Sequence, residues 1–248
     1  MKKFLNLFFI VTILLIVGCK DKIKTDVPIK GDPIITPILD EPIIKLPTET
    51  PLTDEGKLFI ITEETGGKSY YNKFLKFPTV PPGASGITIG AGYDLQFYQP
   101  TAIKKTWIKL GDNNTTRLSK ASGLNHTESQ SYLPKVKDIL VSWDLATEVF
   151  NINTIPDYYD LTRRTFPGLT LLKAPAIAAA TSVIFNRGSS LTGDARKEMR
   201  GLKEAIKNKD YQEMADQTRA MKRLWYGKGM DGVILRREKE AKLYESCL

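Results

Sequence analysis

Cysteine is almost missing: Cys19 and Cys247 are the only two in 248 residues. Two thiols near opposite ends cannot staple a chain of this length, so a disulfide scaffold is excluded. Histidine is scarcer still, with His126 alone. A single imidazole with no Cys or His cluster beside it offers no transition-metal site, and it leaves a Ser-His-Asp scheme without support. No metal and no cofactor are therefore expected. Long apolar runs are also lacking. Phe4 to Val17 and Ala174 to Phe185 both fall short of the ~20 residues that a membrane-spanning helix needs.

What the first of those runs does have is a setting. Met1-Lys2-Lys3 is a basic start, and Ile16-Val17-Gly18-Cys19 puts small residues before a cysteine. The pattern resembles a bacterial lipoprotein signal, which implies cleavage before Cys19, a lipid on its sulfur, export, and a membrane as partner. Residues 1–18 then read as the signal peptide. With Cys19 lipidated, Cys247 has no intrachain partner and is an idle thiol. Prolines at 28, 33, 37, 42, 47 and 51 follow, a density that blocks helix and central strand, so 19–53 reads as an extended tether. The folded domain is assigned to 54–248.

Charge separates the same parts. Seven Lys and eight Asp or Glu fall in 1–55, leaving 29 basic and 20 acidic residues for 56–248, a balance of +9. A cationic exported domain suits an anionic polymer such as cell-wall glycan or a membrane surface. The export signal puts nucleic acid out of reach.

Within the domain, the richest segment is Gly86-Ile87-Thr88-Ile89-Gly90-Ala91-Gly92-Tyr93-Asp94. β-Branched and aromatic residues favour strands and glycine inside a strand marks a bend, so Ile87-Thr88-Ile89 should be a strand that breaks at Gly90 and Gly92. Were the strand straight, Thr88 and Asp94 would lie roughly 20 Å apart at ~3.3 Å per residue. Folded over, a hydroxyl and a carboxylate converge on one cleft, where they could hold and activate water. Upstream, Thr53-Asp54 opens a helix expected over Asp54 to Glu64 that must stop at Gly66-Gly67. A carboxylate in the closing turn of an apolar helix meets the unfavourable end of the helix dipole and loses water; both raise its pKa, which suits a general acid. Periodicity alone does not choose between Glu63 and Glu64.

The remaining chain reads as loop, then helices. Tyr70 to Pro82 is expected as an aromatic, proline-punctuated loop. Helices are expected near 100–110, burying Ile103, Trp107 and Leu110, and near 115–122, 127–141, 143–151 and 156–166. The apolar stretch at 174–185 should be a buried central helix closed by Gly188. Asp194 and Asp210 are expected to cap helices at about 195–208 and 211–224, and a last helix, about 232–245, carries Arg236 and Arg237. The fold class is α+β, predominantly helical.

Taken together, Glu64-Thr65-Gly66-Gly67, Tyr70-Tyr71, the glycine segment to Asp94, Phe185-Asn186-Arg187-Gly188, Arg196-Lys-Glu-Met199, Met221-Lys-Arg-Leu-Trp225 and Arg236-Arg237-Glu238 resemble the phage-lysozyme superfamily, closest to its pesticin-like branch of exported wall-degrading proteins. The likeness covers about 55–245. It implies a lysozyme-like fold, with a small glycine-rich β-hairpin lobe and a larger C-terminal helical lobe, and a muramidase cutting the β-1,4 bond between N-acetylmuramic acid and N-acetylglucosamine. On that likeness Glu64 protonates the leaving oxygen, while Thr88 and Asp94 hold and deprotonate the attacking water. In many phage lysozymes the aspartate precedes the threonine. Here it follows, as in the pesticin-like branch, and no acidic residue lies between Thr65 and Thr88.

An inverting hydrolase separates its carboxylates by about 6.5–9.5 Å and a retaining one by about 5–5.5 Å; the likeness favours inversion. Arg237, or Arg236, is a candidate to orient Glu64, and Tyr71 and Tyr93 are candidates to contact sugar. Peptidoglycan strands are the expected partner, a monomer the expected state, and the likeness leaves open an accompanying inhibitor or immunity protein. Two other readings stand beside hydrolysis: a lytic transglycosylase using Glu64 alone, and a non-catalytic wall-binding lipoprotein.

Overall fold

The computed structural model describes residues 51–248. The expected signal peptide, Cys19 and nearly all of the tether lie outside the described residues. Leu52, assigned to the tether, is 97 % buried by its 3 % exposure, so the folded unit begins slightly earlier than expected.

Thr53 is extended, and its hydroxyl accepts from Gly56 N at 3.2 Å. That cap, with Asp54 and Glu55 in the first turn, opens α1 (Asp54–Thr65). The chain then turns at Gly66 directly into α2 (Gly67–Phe74). This corrects the loop expected from Tyr70. No proline falls between Tyr70 and Pro78, and Tyr71 is fully buried, edge-on to Trp143 at 5.4 Å with its hydroxyl donating to Val141 O at 2.9 Å. Burial of one aromatic side chain outweighs the weak helix propensity of its neighbours.

The glycine segment folds over as expected. β1 (Thr88–Ile89) pairs antiparallel with β2 (Tyr93–Asp94), with Thr88 opposite Asp94 and Ile89 opposite Tyr93. Gly90 (φ 59°) and Gly92 (φ 81°) take the left-handed backbone that the three-residue turn requires. Ile87 stands just outside the ladder, although its carbonyl accepts from Leu95 N at 2.8 Å.

Five short helices follow: α3 (Pro100–Thr106), α4 (Asp112–Ser119), α5 (His126–Tyr132), α6 (Trp143–Val149) and α7 (Ile155–Thr165). Several boundaries depart from expectation, and α4 runs Asp112–Ser119 where 115–122 was expected. The helix expected over 100–110 ends at Thr106 and a 3-10 turn, Ile108–Leu110, finishes it; Ile103 and Trp107 are buried and Leu110 only partly. The one expected over 127–141 ends at Tyr132, because Pro134 cannot donate into an α-helical ladder. α6 and α7 are not separated but joined by a π-helical turn, Phe150–Thr154; Pro156 sits in the first turn of α7, where its missing N–H costs nothing.

The buried centre is α8 (Ala174–Arg187), ending at Gly188 with φ 72°. Every residue from Ala176 to Arg187 is buried, because the helix packs on α1 and α7 and on the last helix of the chain. α9 (Lys197–Asn208) and α10 (Tyr211–Ala220) follow. Asp210 caps α10 by accepting from Glu213 N at 2.9 Å. Asp194 does not cap α9 as expected: it opens a 3-10 turn, Asp194–Arg196, and pairs with Arg223 at 3.2 Å. The chain closes with α11 (Asp231–Glu245), which packs between α8 and α10. The described residues thus form a mainly helical α+β structure with one small hairpin. Among them no helix is long and apolar enough to cross a membrane.

Candidate active site

Glu64 occupies the last turn of α1, a helix that packs on α8 and is joined to α11 by ion pairs of Glu64 and Glu63. Its side chain is 10 % exposed, and its one charged contact among the described residues is Arg236 Nη1 on α11, which donates to Oε2 at 3.4 Å. That separation is long for a charge-assisted bond, ordinarily ~2.7–2.9 Å, so the carboxylate is weakly compensated. Burial dominates and pushes the Glu64 carboxyl above its ordinary 4.5, with the Arg236 charge and hydrogen bond pulling the other way. Glu63 differs: its carboxylate takes a 2.6 Å bond from Lys239 at the rim.

The hairpin turn comes to Glu64. A Cβ placed on Gly92 would stand 3.7 Å from Glu64 Oε1, so the absence of a side chain there leaves room beside the carboxylate. Thr88 and Asp94, as directly opposed residues, share one face of the hairpin. Both reach the backbone of Gly86: Thr88 Oγ1 donates to Gly86 O at 3.4 Å, and Gly86 N donates to Asp94 Oδ2 at 3.0 Å. Gln96 adds a backbone donor to Oδ1 at 3.1 Å and a side-chain donor to Oδ2 at 2.8 Å. Asp94 is therefore held by three donors and half-buried, whereas Thr88 is buried.

Two tyrosines are close enough to these carboxylates to feel their charge. Tyr158, on α7, is raised to about 12 by burial and then by the negative charges of Glu64 and others. Tyr98 is raised by burial and then by Asp157 and Asp94. One ring therefore feels Glu64 and the other Asp94. Tyr98 is 38 % exposed and its ring stacks on Tyr93 at 3.9 Å, with 12° between planes. A backed, half-open aromatic face of this kind is suited to stacking on a sugar ring or another flat apolar surface.

The remaining sequence candidates fall elsewhere. Tyr71 is buried under α2 and Tyr93 is 5 % exposed, held between Tyr98 and Trp107, the latter edge-on at 5.5 Å; both pack the fold, and Tyr98 rather than Tyr93 presents the open face. Arg237 is fully buried and donates to Glu240 at 2.8 Å and Asn186 at 3.2 Å. It turns away from Glu64, and Arg236 makes that contact instead. Along α11, Arg236, Arg237 and Glu240 all belong to the buried side, so the i,i+4 spacing from Arg236 to Glu240 was the available signal. Nothing in sequence spacing pointed to Tyr98 or Asp157.

What the arrangement offers is a weakly compensated, protonatable carboxyl facing a hairpin that carries an ionisable carboxylate and a hydroxyl. Among the described residues no group of three His, Cys, Asp or Glu is placed to hold a metal ion. A family model described as a domain of unknown function (DUF8812) matches residues 59–163. That stretch contains Glu64, Thr88 and Asp94 and stops before α8, so Arg236 lies outside it. No curated protein matches the chain.

Proposed function

We propose that the chain is a muramidase of lysozyme-like fold, in which Glu64 is the general acid and Asp94 with Thr88 holds the attacking water. The observation that carries the reading is the setting of Glu64: out of water, with its pKa raised and only a 3.4 Å cationic contact, and directly against the Gly92 turn. A carboxyl whose burial favours the protonated form is what cleavage of a glycosidic bond asks of its acid. On the hairpin that meets Glu64, three donors fix the orientation of the Asp94 carboxylate beside Thr88, which suits a group that holds water. The +9 balance of residues 56–248 suits an anionic wall polymer. Lipidation of Cys19, a proline-rich tether and action on envelope glycan as a monomer complete the proposal.

The decisive experiment is Glu64→Gln assayed on purified peptidoglycan. The variant should fold, bind sacculi and release no reducing ends. Activity equal to the parent would remove Glu64 from the mechanism. Inversion is the expected outcome, read by NMR of the first-formed anomer.

One observation favours a second reading. All three donors to Asp94 belong to the hairpin's own segment, Gly86 and Gln96, an arrangement that also serves as a plain backbone cap. Were Asp94 only that, Glu64 alone would make a lytic transglycosylase. Mass spectrometry separates the two, since that reaction leaves anhydro-sugar ends where hydrolysis leaves reducing ends.

A further inference from the structure

His126 is the only histidine of the chain, and no reading of the sequence gave it work. It begins α5, whose start is fixed by a reciprocal cap: Asn125 Oδ1 accepts from Glu128 N at 3.1 Å and Glu128 Oε2 accepts from Asn125 N at 2.9 Å. From that fixed position the half-buried imidazole spans 41 residues of sequence to bring Nδ1 within 2.9 Å of Ser85 O. A carbonyl oxygen only accepts, so Nδ1 must carry the proton. In the neutral ring Nε2 is then the acceptor, and Gln130 Nε2, 2.9 Å away, donates to it. The surroundings thus select one tautomer.

The carbonyl that His126 holds belongs to the same peptide unit as Gly86 N–H, the donor to Asp94 Oδ2 at 3.0 Å. The two bonds lie on opposite sides of a planar peptide, forming a chain from imidazole through peptide to carboxylate, and hydrogen bonds in such chains strengthen one another. The fit is close. A Cβ on Gly86 would come within 2.8 Å of Asp94 Oδ1 and 3.2 Å of Leu124 O, so this backbone is wedged between the hairpin and the segment that leads into α5.

We propose that His126 is a positioning residue: through the Ser85–Gly86 peptide it sets the orientation of Asp94, and with it the face on which Thr88 and Asp94 hold water. The inference rests on the muramidase reading. It does not depend on contact between His126 and substrate.

The test uses three preparations on soluble peptidoglycan fragments. His126→Ala should lower kcat by roughly ten- to a hundredfold, the scale attached to small misplacements of a reacting group, while KM changes less than about twofold. His126→Asn, whose side-chain amide can still donate to Ser85 O, should recover most of that loss. Because only one histidine is present, the side-chain nitrogen NMR spectrum of the unmodified protein should report the proton of the neutral ring on Nδ1 rather than Nε2, with no variant needed. An Nε2-protonated ring, equal activity in His126→Ala, or failure of Asn to rescue would each overturn the proposal. A parent protein that releases no reducing ends would overturn the muramidase reading and this inference with it; an active parent with an equally active His126→Ala overturns this inference alone.

Discussion

Two glutamates, Glu64 reaching α11 from α1 and Glu238 carried by α11 itself, are driven in opposite directions. On the side towards α1, Glu64 is taken out of water with one 3.4 Å contact to Arg236, and its carboxyl rises above 4.5. On the side towards α10, Glu238 is 28 % exposed, takes bonds of 3.0 and 3.1 Å from Arg219 and a further one from Lys222, and is held at about 2 by those two partners. Both face arginine. What separates them is the balance of solvent and donors: several charged donors at a wet edge favour the charged form, and the loss of nearly all solvent and donors favours the protonated one. The first arrangement is a staple and the second a candidate acid.

The comparison breaks most visibly at Glu64. Glu64→Gln should reduce turnover of peptidoglycan by about 10²–10⁴-fold, as expected for loss of a general acid. The pH profile of the parent should have an alkaline limb, displaced above 4.5, where Glu64 loses its proton. Stability carries its own sign. A carboxyl whose folded pKa is raised binds more protons folded than unfolded, so the parent loses stability as pH rises from the unfolded value of about 4.5 through the raised one, and the Gln variant does not. Urea unfolding across that range should show Glu64→Gln gaining on the parent with rising pH.

Asp94→Asn is next. As the base of a hydrolase, Asp94 should cost about 10²-fold or more in kcat when its charge is removed. Should activity stay within a few fold of the parent, the hairpin carboxylate is a cap and the transglycosylase reading gains.

Arg236→Lys replaces a fork that reaches Glu64, Ser182 and Glu240 with a single ammonium. Because both Arg236 and Glu240 are buried, unfolding by urea should show a loss of about 2–4 kcal/mol, and the alkaline limb set by Glu64 should move as its only charged contact changes. The smallest effect is expected on the other side of the helix. Glu238 has a depressed pKa, so its contribution is present above about 4.5 and fades as pH falls towards about 2. Glu238→Gln should therefore be less stable than the parent at neutral pH, by about 1 kcal/mol or less for a partly solvated network, with the difference closing in acid. The slopes of the two Glu→Gln variants against pH should be opposite.

Legibility followed locality. The Thr53 cap, the stop at Gly66, the Asp210 cap and the hairpin at Gly90 and Gly92 are decided by side chain-to-backbone bonds or backbone sterics within a few residues, and each was readable. Tyr71 shows the limit. Its segment looked like a loop because what makes it a helix is Trp143 and Val141, some seventy positions away. Arg236 and Arg237 make the same point more finely. Neighbours on one helix, they share Glu240, yet Arg236 also reaches Glu64 and Arg237 reaches Asn186, and only the way α11 lies on α8 tells which is which.

Thr88 and Asp94 were named from residue chemistry, and Glu64 over Glu63 from the family resemblance, but their surroundings were not. The amino-acid order determined by itself a helix ending in a carboxylate, a hairpin that opposes a hydroxyl and a second carboxylate, and an alanine-rich centre, because capping, turn geometry and helical periodicity act over a few residues. Tertiary structure alone decided that Glu64 would lose its water, that Arg236 would be its single charged contact, that Tyr98 would offer the open ring, and that His126 would hold the peptide behind Asp94. Those are matters of burial and of contacts across tens of residues, and both exist only once the helices have packed.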